Sequence, residues 1–205
     1  MVAVVLKEIM SEKQLWPLFS KPVFKTHLDV SGVDLSNIKW AKNYQNWISE
    51  SQSVLNDPAL VNFADQISGN LAEYFYGIMG ASQHVELYVT ESWFNKTEKG
   101  QSHHRHWHPN SILSGVIYLA SEGDSGRIKF ITSQYDTIEY NILESNLYNS
   151  RSWSVLPEAG TMLVFPSNVE HLVEEYTGDT PRLSLSFNTF VRGDINIDPL
   201  TRLRI

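Results

Sequence analysis

The hydrophobic positions change period once along the chain. Between residues 57 and 80 they recur every three or four residues, at Leu60, Phe63, Ala64, Ile67, Leu71, Tyr74, Phe75 and Ile78. That spacing predicts an amphipathic helix with one buried face. Asp57 suits its N-cap, Pro58 its first turn and Gly80 its stop. After Gly80 the period falls to two: Val85, Leu87 and Val89 alternate with Glu86, Tyr88 and Thr90. Further strand patterns follow at 111–120, 127–132, 135–140, 152–156, 161–165, 171–176 and 182–191. Gly123-Asp124-Ser125-Gly126, Pro157, Gly160, Pro166 and Gly178 separate them, and 95–100 reads as a polar turn. Ahead of the long helix, 38–50 carries a weaker helical pattern and 22–28 the pattern of a lone strand. The predicted fold class is mainly β with flanking helices, a sandwich or jelly roll whose helices cover one sheet. The expected organisation is a single domain: a mostly helical part over 1–83, a β core over 84–192 and a tail over 193–205.

Composition narrows the function classes. A 42% hydrophobic and 19% charged chain is globular rather than disordered. Cysteine is absent, which excludes disulfides, thiolate metal sites and a cysteine nucleophile. A formal charge of -7 argues against a nucleic-acid partner, because neutralising phosphates takes a basic surface. No run approaches the roughly 20 apolar residues of a membrane span. The apolar run 2–6 is too short for a signal peptide. The expectation is a soluble cytoplasmic protein with no membrane partner, as a monomer or a homodimer.

The chemistry concentrates in three places. His103-His104-Arg105-His106-Trp107-His108 holds four of the seven histidines. In an extended segment His104, His106 and His108 would share one face, and His103, Arg105 and Trp107 the other. Two imidazoles at i and i+2 can reach one metal ion, so a metal site outweighs a polar turn here. His171 is the best distant ligand, because it opens a strand just after the buried run 161–166. In Arg182-Leu183-Ser184-Leu185-Ser186-Phe187-Asn188 the alternation is clean. Arg182, Ser184, Ser186 and Asn188 form one face; taken alone this reads first as a solvated strand, but one arginine among small polar groups, in place of Lys, Glu and Thr, also suits a carboxylate.

In order and spacing these segments resemble the iron(II)- and 2-oxoglutarate-dependent oxygenases. More narrowly, they resemble the branch of small oxygenases common in phages and marine bacteria. The matching stretches are Glu91-Ser92-Trp93-Phe94-Asn95, His106-Trp107-His108-Pro109-Asn110-Ser111, 113–119, Gly160 to His171, and 182–188; a weaker match covers 18–28.

The resemblance implies a double-stranded β-helix that uses Fe(II), 2-oxoglutarate and O2 and releases succinate and CO2. Its substrate would be a small molecule or a protein side chain. The implied metal ligands, and hence catalytic residues, are His106, His108 and His171. Arg182 would pair with the far carboxylate of 2-oxoglutarate, and Ser184 matches the hydroxyl residue two positions on. Asn95, Ser114, Tyr118 and Asn188 match positions near cofactor or metal, and Trp93 and Trp107 could line a substrate pocket. His108 stands where the superfamily usually has a carboxylate. Two alternatives remain at this point: water in place of His108, and the equally spaced pair His104 and His106. Two rival functions also remain. One is a cupin-like three-His metalloenzyme that does not use 2-oxoglutarate. The other is a non-catalytic metal-binding jelly-roll module.

Overall fold

The computed structural model describes residues 14, 16–132 and 141–205. The strand expected over 135–140 lies outside them. The chain begins with three short strands: β1 (Phe24–His27), β2 (Trp40–Lys42) and β3 (Trp47–Ser49). Two 3-10 turns then lead into α1 (Val61–Ala72), which continues as a wider π turn over Glu73–Ile78. The remaining strands are β4 (Val85–Thr97), β5 (His103–His106), β6 (Leu113–Ala120), β7 (Ile128–Ile131), β8 (Ser152–Val155), β9 (Thr161–Pro166), β10 (Glu170–Val173), β11 (Arg182–Asn196) and β12 (Leu203–Arg204).

They form two antiparallel sheets. The larger runs β1-β9-β6-β11-β4-β3-β2, with β12 added to β11, and the smaller runs β5-β10-β7-β8. Val116, Tyr118, Leu163 and Phe165 of the large sheet meet Ile128 and Phe130 of the small one in a shared core. This is the predicted jelly roll.

The helix forms where the 3.6 period placed it. The Asp57 side chain accepts a hydrogen bond from the Ala59 N–H at 2.9 Å and so satisfies one of the free donors at the helix start. Gly80 stops the helix with φ of 68°, a left-handed conformation that costs glycine little. The buried stripe Phe63, Ile67, Leu71 and Tyr74 packs on Phe94, Ile117, Met162, Val164, Leu185 and Phe187, the outer face of the large sheet. β9 is therefore covered on both faces, with Met162 and Val164 under the helix and Leu163 and Phe165 between the sheets. That double burial explains its unbroken apolar run. At β6 the sheet leaves no room for a side chain: a Cβ on Gly115 would stand 2.2 Å from the Phe187 ring.

Four sequence expectations need correction. The weak helix over 38–50 is a hairpin, β2 and β3, whose strands add to the edge of β4. Asn43 and Asn46 close it: the Asn43 N–H donates to the Asn46 carbonyl at 2.9 Å, and their side chains meet at 3.2 Å. The Lys42 and Lys96 ammonium groups lie over the Trp47 ring. A short isolated helix is marginal in water, whereas the open edge of β4 offers these residues ready backbone partners. Among the described residues of 1–83, helix is thus confined to 54–78. The polar turn over 95–100 starts later, since β4 runs to Thr97 and pairs Asn95 with Ser184. Residues 193–205 are not simply a tail: β11 extends to Asn196, and β12 returns to pair with it.

Candidate metal centre and anion pocket

The two sheets enclose a cavity of about 280 Å³. Its floor and one wall come from the large sheet through Asn95, Val116, Tyr118, Phe165, Arg182, Ser184 and Ser186. The opposite wall carries His103, His106, His108 and His171. The β2–β3 hairpin, with Asn43, Asn46 and Ile48, lines part of it too.

His106, His108 and His171 come together. Their ligand-capable atoms all lie within 4.8 Å of one another. β5 and β10 are paired so that His106 stands opposite His171, with ring centroids 4.3 Å apart. His108 follows just past the end of β5. Its N–H donates to the Ser167 carbonyl at 3.0 Å, which ties it to the turn before β10. The Nδ1 atoms of His106 and His171 lie 2.7 and 2.9 Å from the carbonyl oxygens of His104 and Val169. A carbonyl can only accept, so both Nδ1 atoms carry the hydrogen and both Nε2 lone pairs stay free. Burial, reinforced by the neighbouring imidazoles, pushes His171 down to about 3 and His108 to about 4, and lowers His106. All three are neutral at physiological pH, which is the form that binds metal.

The strand parity expected for the histidine run is broken. His171 pairs with His106 and Val173 with His103, so two steps on β10 match three on β5. This bulge turns His103 to the same side as His106. His103 therefore lines the cavity, while His104 is exposed. The sequence carried no signal for this, because a bulge is a property of the pairing.

Arg182 points into the same cavity and is 4% exposed. Its Nη1 donates to the Gly126 carbonyl at 2.6 Å and its Nη2 to the Thr97 hydroxyl at 3.1 Å. The guanidinium lies over the Tyr118 ring, 5.8 Å from its centroid. Nε is buried with no hydrogen-bond partner, and no carboxylate among the described residues pairs with Arg182. Desolvation lowers its pKa. A buried cation in this state is costly unless an anion joins it. Ser184 stands beside it on the same face and is 2% exposed. Tyr118 is wholly buried, which pushes its hydroxyl up to about 12 and keeps it a neutral donor.

Two candidates fall outside the cavity lining. Ser114 and Asn188 share the predicted face but belong to a separate polar chain. The Ser114 hydroxyl lies 2.8 Å from both the Ser167 hydroxyl and the Asn188 side-chain oxygen, and Asn188 Nδ2 donates to Glu91. Asn95 does line the cavity, with Nδ2 donating to the Ser186 hydroxyl at 3.0 Å. Trp93 lines it as well, whereas Trp107 is 56% exposed and does not.

Residues 91–188 match the family described as "Putative 2OG-Fe(II) oxygenase". The jelly-roll core is that of a 2OG-Fe(II) oxygenase. Solved members of this class share its fold. A Pseudomonas putida prolyl-4-hydroxylase aligns at 18% identity over 92% of this chain and 98% of its own, with a TM-score of 0.54. A 2OG-Fe(II) oxygenase family oxidoreductase from Burkholderia pseudomallei aligns at 15% identity over 75% and 72%, with a TM-score of 0.53. HygX from Streptomyces hygroscopicus, solved with nickel, 2-oxoglutarate and hygromycin B, aligns at 9% identity over 82% of each chain, with a TM-score of 0.53. No curated protein matches the chain.

The residues present fit the cofactors of this oxygenase class. Three neutral imidazoles in van der Waals reach of one another suit a first-row divalent ion such as Fe(II). They leave the ion its full positive charge. An unpaired buried arginine adds one more, so the cavity is built for an anion such as 2-oxoglutarate. No helix among the described residues is long and apolar enough to cross a membrane.

Proposed function

We propose that this oxygenase holds Fe(II) with His106, His108 and His171, and seats 2-oxoglutarate with Arg182 and Ser184. The substrate class we infer is a small molecule or a protein side chain, which the enzyme hydroxylates. The observation that carries the proposal is Arg182: a buried guanidinium with an unused Nε–H and no acidic partner, in the same cavity as three converging imidazoles.

Each residue has a separable task. The carbonyls of His104 and Val169 hold two rings so that Nε2 points toward the ion. Arg182 pairs with the far carboxylate of the cosubstrate, and Thr97 and Gly126 keep the guanidinium plane fixed before it arrives. Ser184 and Tyr118 offer hydroxyl hydrogens to the same anion. Phe165, Val116 and Ile128 line the wall and keep water from the reacting centre. Bound Fe(II), with 2-oxoglutarate and O2, supplies the oxidising chemistry, with succinate and CO2 as products. Asn43, Asn46, Ile48 and Trp93 form the part of the lining left for the substrate.

The pair His104 and His106 is the weaker assignment for the iron, since His104 is exposed and outside the cavity lining. The deciding measurement is succinate formed from 2-oxoglutarate with and without Fe(II), across candidate substrates, in the wild type and in Arg182→Leu. Iron-dependent succinate that disappears in Arg182→Leu supports the assignment. Iron-dependent succinate formation unaffected by that change would remove Arg182 from the cosubstrate site, and a wild type that forms no iron-dependent succinate would move the protein toward the cupin-like reading.

A further inference from the structure

His106 belongs to two groups of converging imidazoles. One is the cavity triad. The other is His103, His104 and His106, whose ligand-capable atoms also lie within 4.8 Å of one another. The ring centroids of His103 lie 4.7 Å from those of His104 and 4.6 Å from those of His106, and His104 lies 5.3 Å from His106. A second observation marks this group as a ligand site: Nδ1 of His103 is buried and has no hydrogen-bond partner. Orphaned ring nitrogens of this kind are rare unless something else binds them. The Tyr44 ring packs edge-on against His104, 4.9 Å away, and restrains the exposed member.

We propose that His103, His104 and His106 form a second, outer site for a divalent ion that favours imidazole, such as Zn(II), Cu(II) or Ni(II). This rests on the assignment of the inner triad to iron. The two sites exclude each other, because His106 has one lone pair to give. Its Nδ1 is committed as a donor to the His104 carbonyl at 2.7 Å, which leaves Nε2 for one ion at a time. An ion in the outer site therefore strips the inner site to two imidazoles. Zn(II), Cu(II) and Ni(II) all bind nitrogen ligands more tightly than Fe(II) does, and neither triad holds a carboxylate to reverse that order. His104 lies at the surface, so the outer site fills from solvent and leaves room for water ligands. The consequence is inhibition by excess zinc that competes with iron through the shared residue.

Calorimetric titration of the metal-free chain with Zn(II) tests this, with folding of each variant checked by circular dichroism. His108→Ala damages only the inner triad and should still bind one Zn(II) per chain. Adding His104→Ala to it should weaken that binding by at least about tenfold, since even losing a group that only orients a ligand costs that much. Equal affinities in the single and double variants would overturn the outer site. The wild type gives a second measurement that needs no substitution. With 15N-histidine labelling, the ring signals of His103 and His104 should move as Zn(II) is added, and signals that stay fixed through several equivalents would also overturn it. The inner assignment fails differently: iron-dependent succinate formation that survives in His108→Ala would sink the inner triad, whatever the zinc titrations show.

Discussion

The two sheets of this oxygenase divide stability from chemistry. The large sheet is buried on both sides, with a helix on one face and the cavity core on the other. The small sheet is four strands whose ladder ends at β5, which carries His103, His104 and His106 beside His171 on β10. β11 shows the division within one strand: Leu185 and Phe187 are wholly buried under the helix, while Arg182 and Ser184 face the cavity. In the proposed assignment the anion anchor Arg182 thus sits on a well-buried strand, while His106 and His108 lie on or just past an edge strand with a bulge and His171 on its neighbour β10. A rigid anchor opposite an adaptable ligand strand lets metal and cosubstrate affinity vary separately, which substitutions can test.

The largest effect should come from the outer face of β11. Phe187→Ala removes a fully buried ring that touches the helix and the Gly115 site, and should cost about 3–5 kcal/mol of folding stability. Denaturant unfolding measures it. Molecules that remain folded should bind Co(II) as the wild type does. A stability loss below about 1 kcal/mol would show that the helix and large sheet are not the stabilising unit.

Arg182→Leu should act on the ligand instead of the fold. The substitution removes a buried, unpaired charge, so the thermal midpoint without ligand should stay level or rise, offset by two lost hydrogen bonds. 2-Oxoglutarate should bind the metal-loaded variant weaker by about 1.5–3 kcal/mol, on the order of ten- to hundredfold. Lysine at this position should rescue little, since it lacks the planar fork. Equal 2-oxoglutarate affinities in wild type and variant would remove Arg182 from the site. They would also erase the proposed division of labour along β11.

Gly115→Ala should fall between fold and site. The added Cβ would stand 2.2 Å from the Phe187 ring, so the ring must shift, at a cost of about 1–3 kcal/mol. Because Gly115 also borders the cavity, this change should alter stability and 2-oxoglutarate binding together. A variant as stable as wild type would show that the sheet has slack there.

Legibility in the sequence follows the same division. The helix and the two faces of β11 were readable because each period had a distinct partner to satisfy. His106, His108 and His171 were readable as a set through the family resemblance, and their convergence was not contained in any local pattern. His103 was misplaced by strand parity, since the bulge that turns it inward arises from pairing between β5 and β10. The β2–β3 hairpin was misread because residues 38–50 take their strand partners from β4, a pairing that no local pattern states. Ser114 and Asn188 were put on the correct face, yet alternation cannot say where along a strand the cavity ends. Their hydrogen bonds to Ser167 and to each other close it off.

The smallest effect should come from the helix cap, and it sharpens the comparison because it lies on the structural side alone. The Asp57 side chain accepts from the Ala59 N–H, and its own backbone is extended, as a cap requires. Asp57→Ala leaves that donor to water and should cost about 1 kcal/mol. Asp57→Asn keeps an acceptor oxygen and should recover most of the loss. The cap is part of neither the cavity lining nor the histidine groups, so Co(II) affinity and 2-oxoglutarate affinity should not move. Thermal unfolding of the two variants, set beside titrations of both ligands, measures this. If Asp57→Ala weakened ligand binding in proportion to its loss of stability, the helix and the cavity would be coupled through the large sheet, and the separation of the two regions would fail at its most distant point.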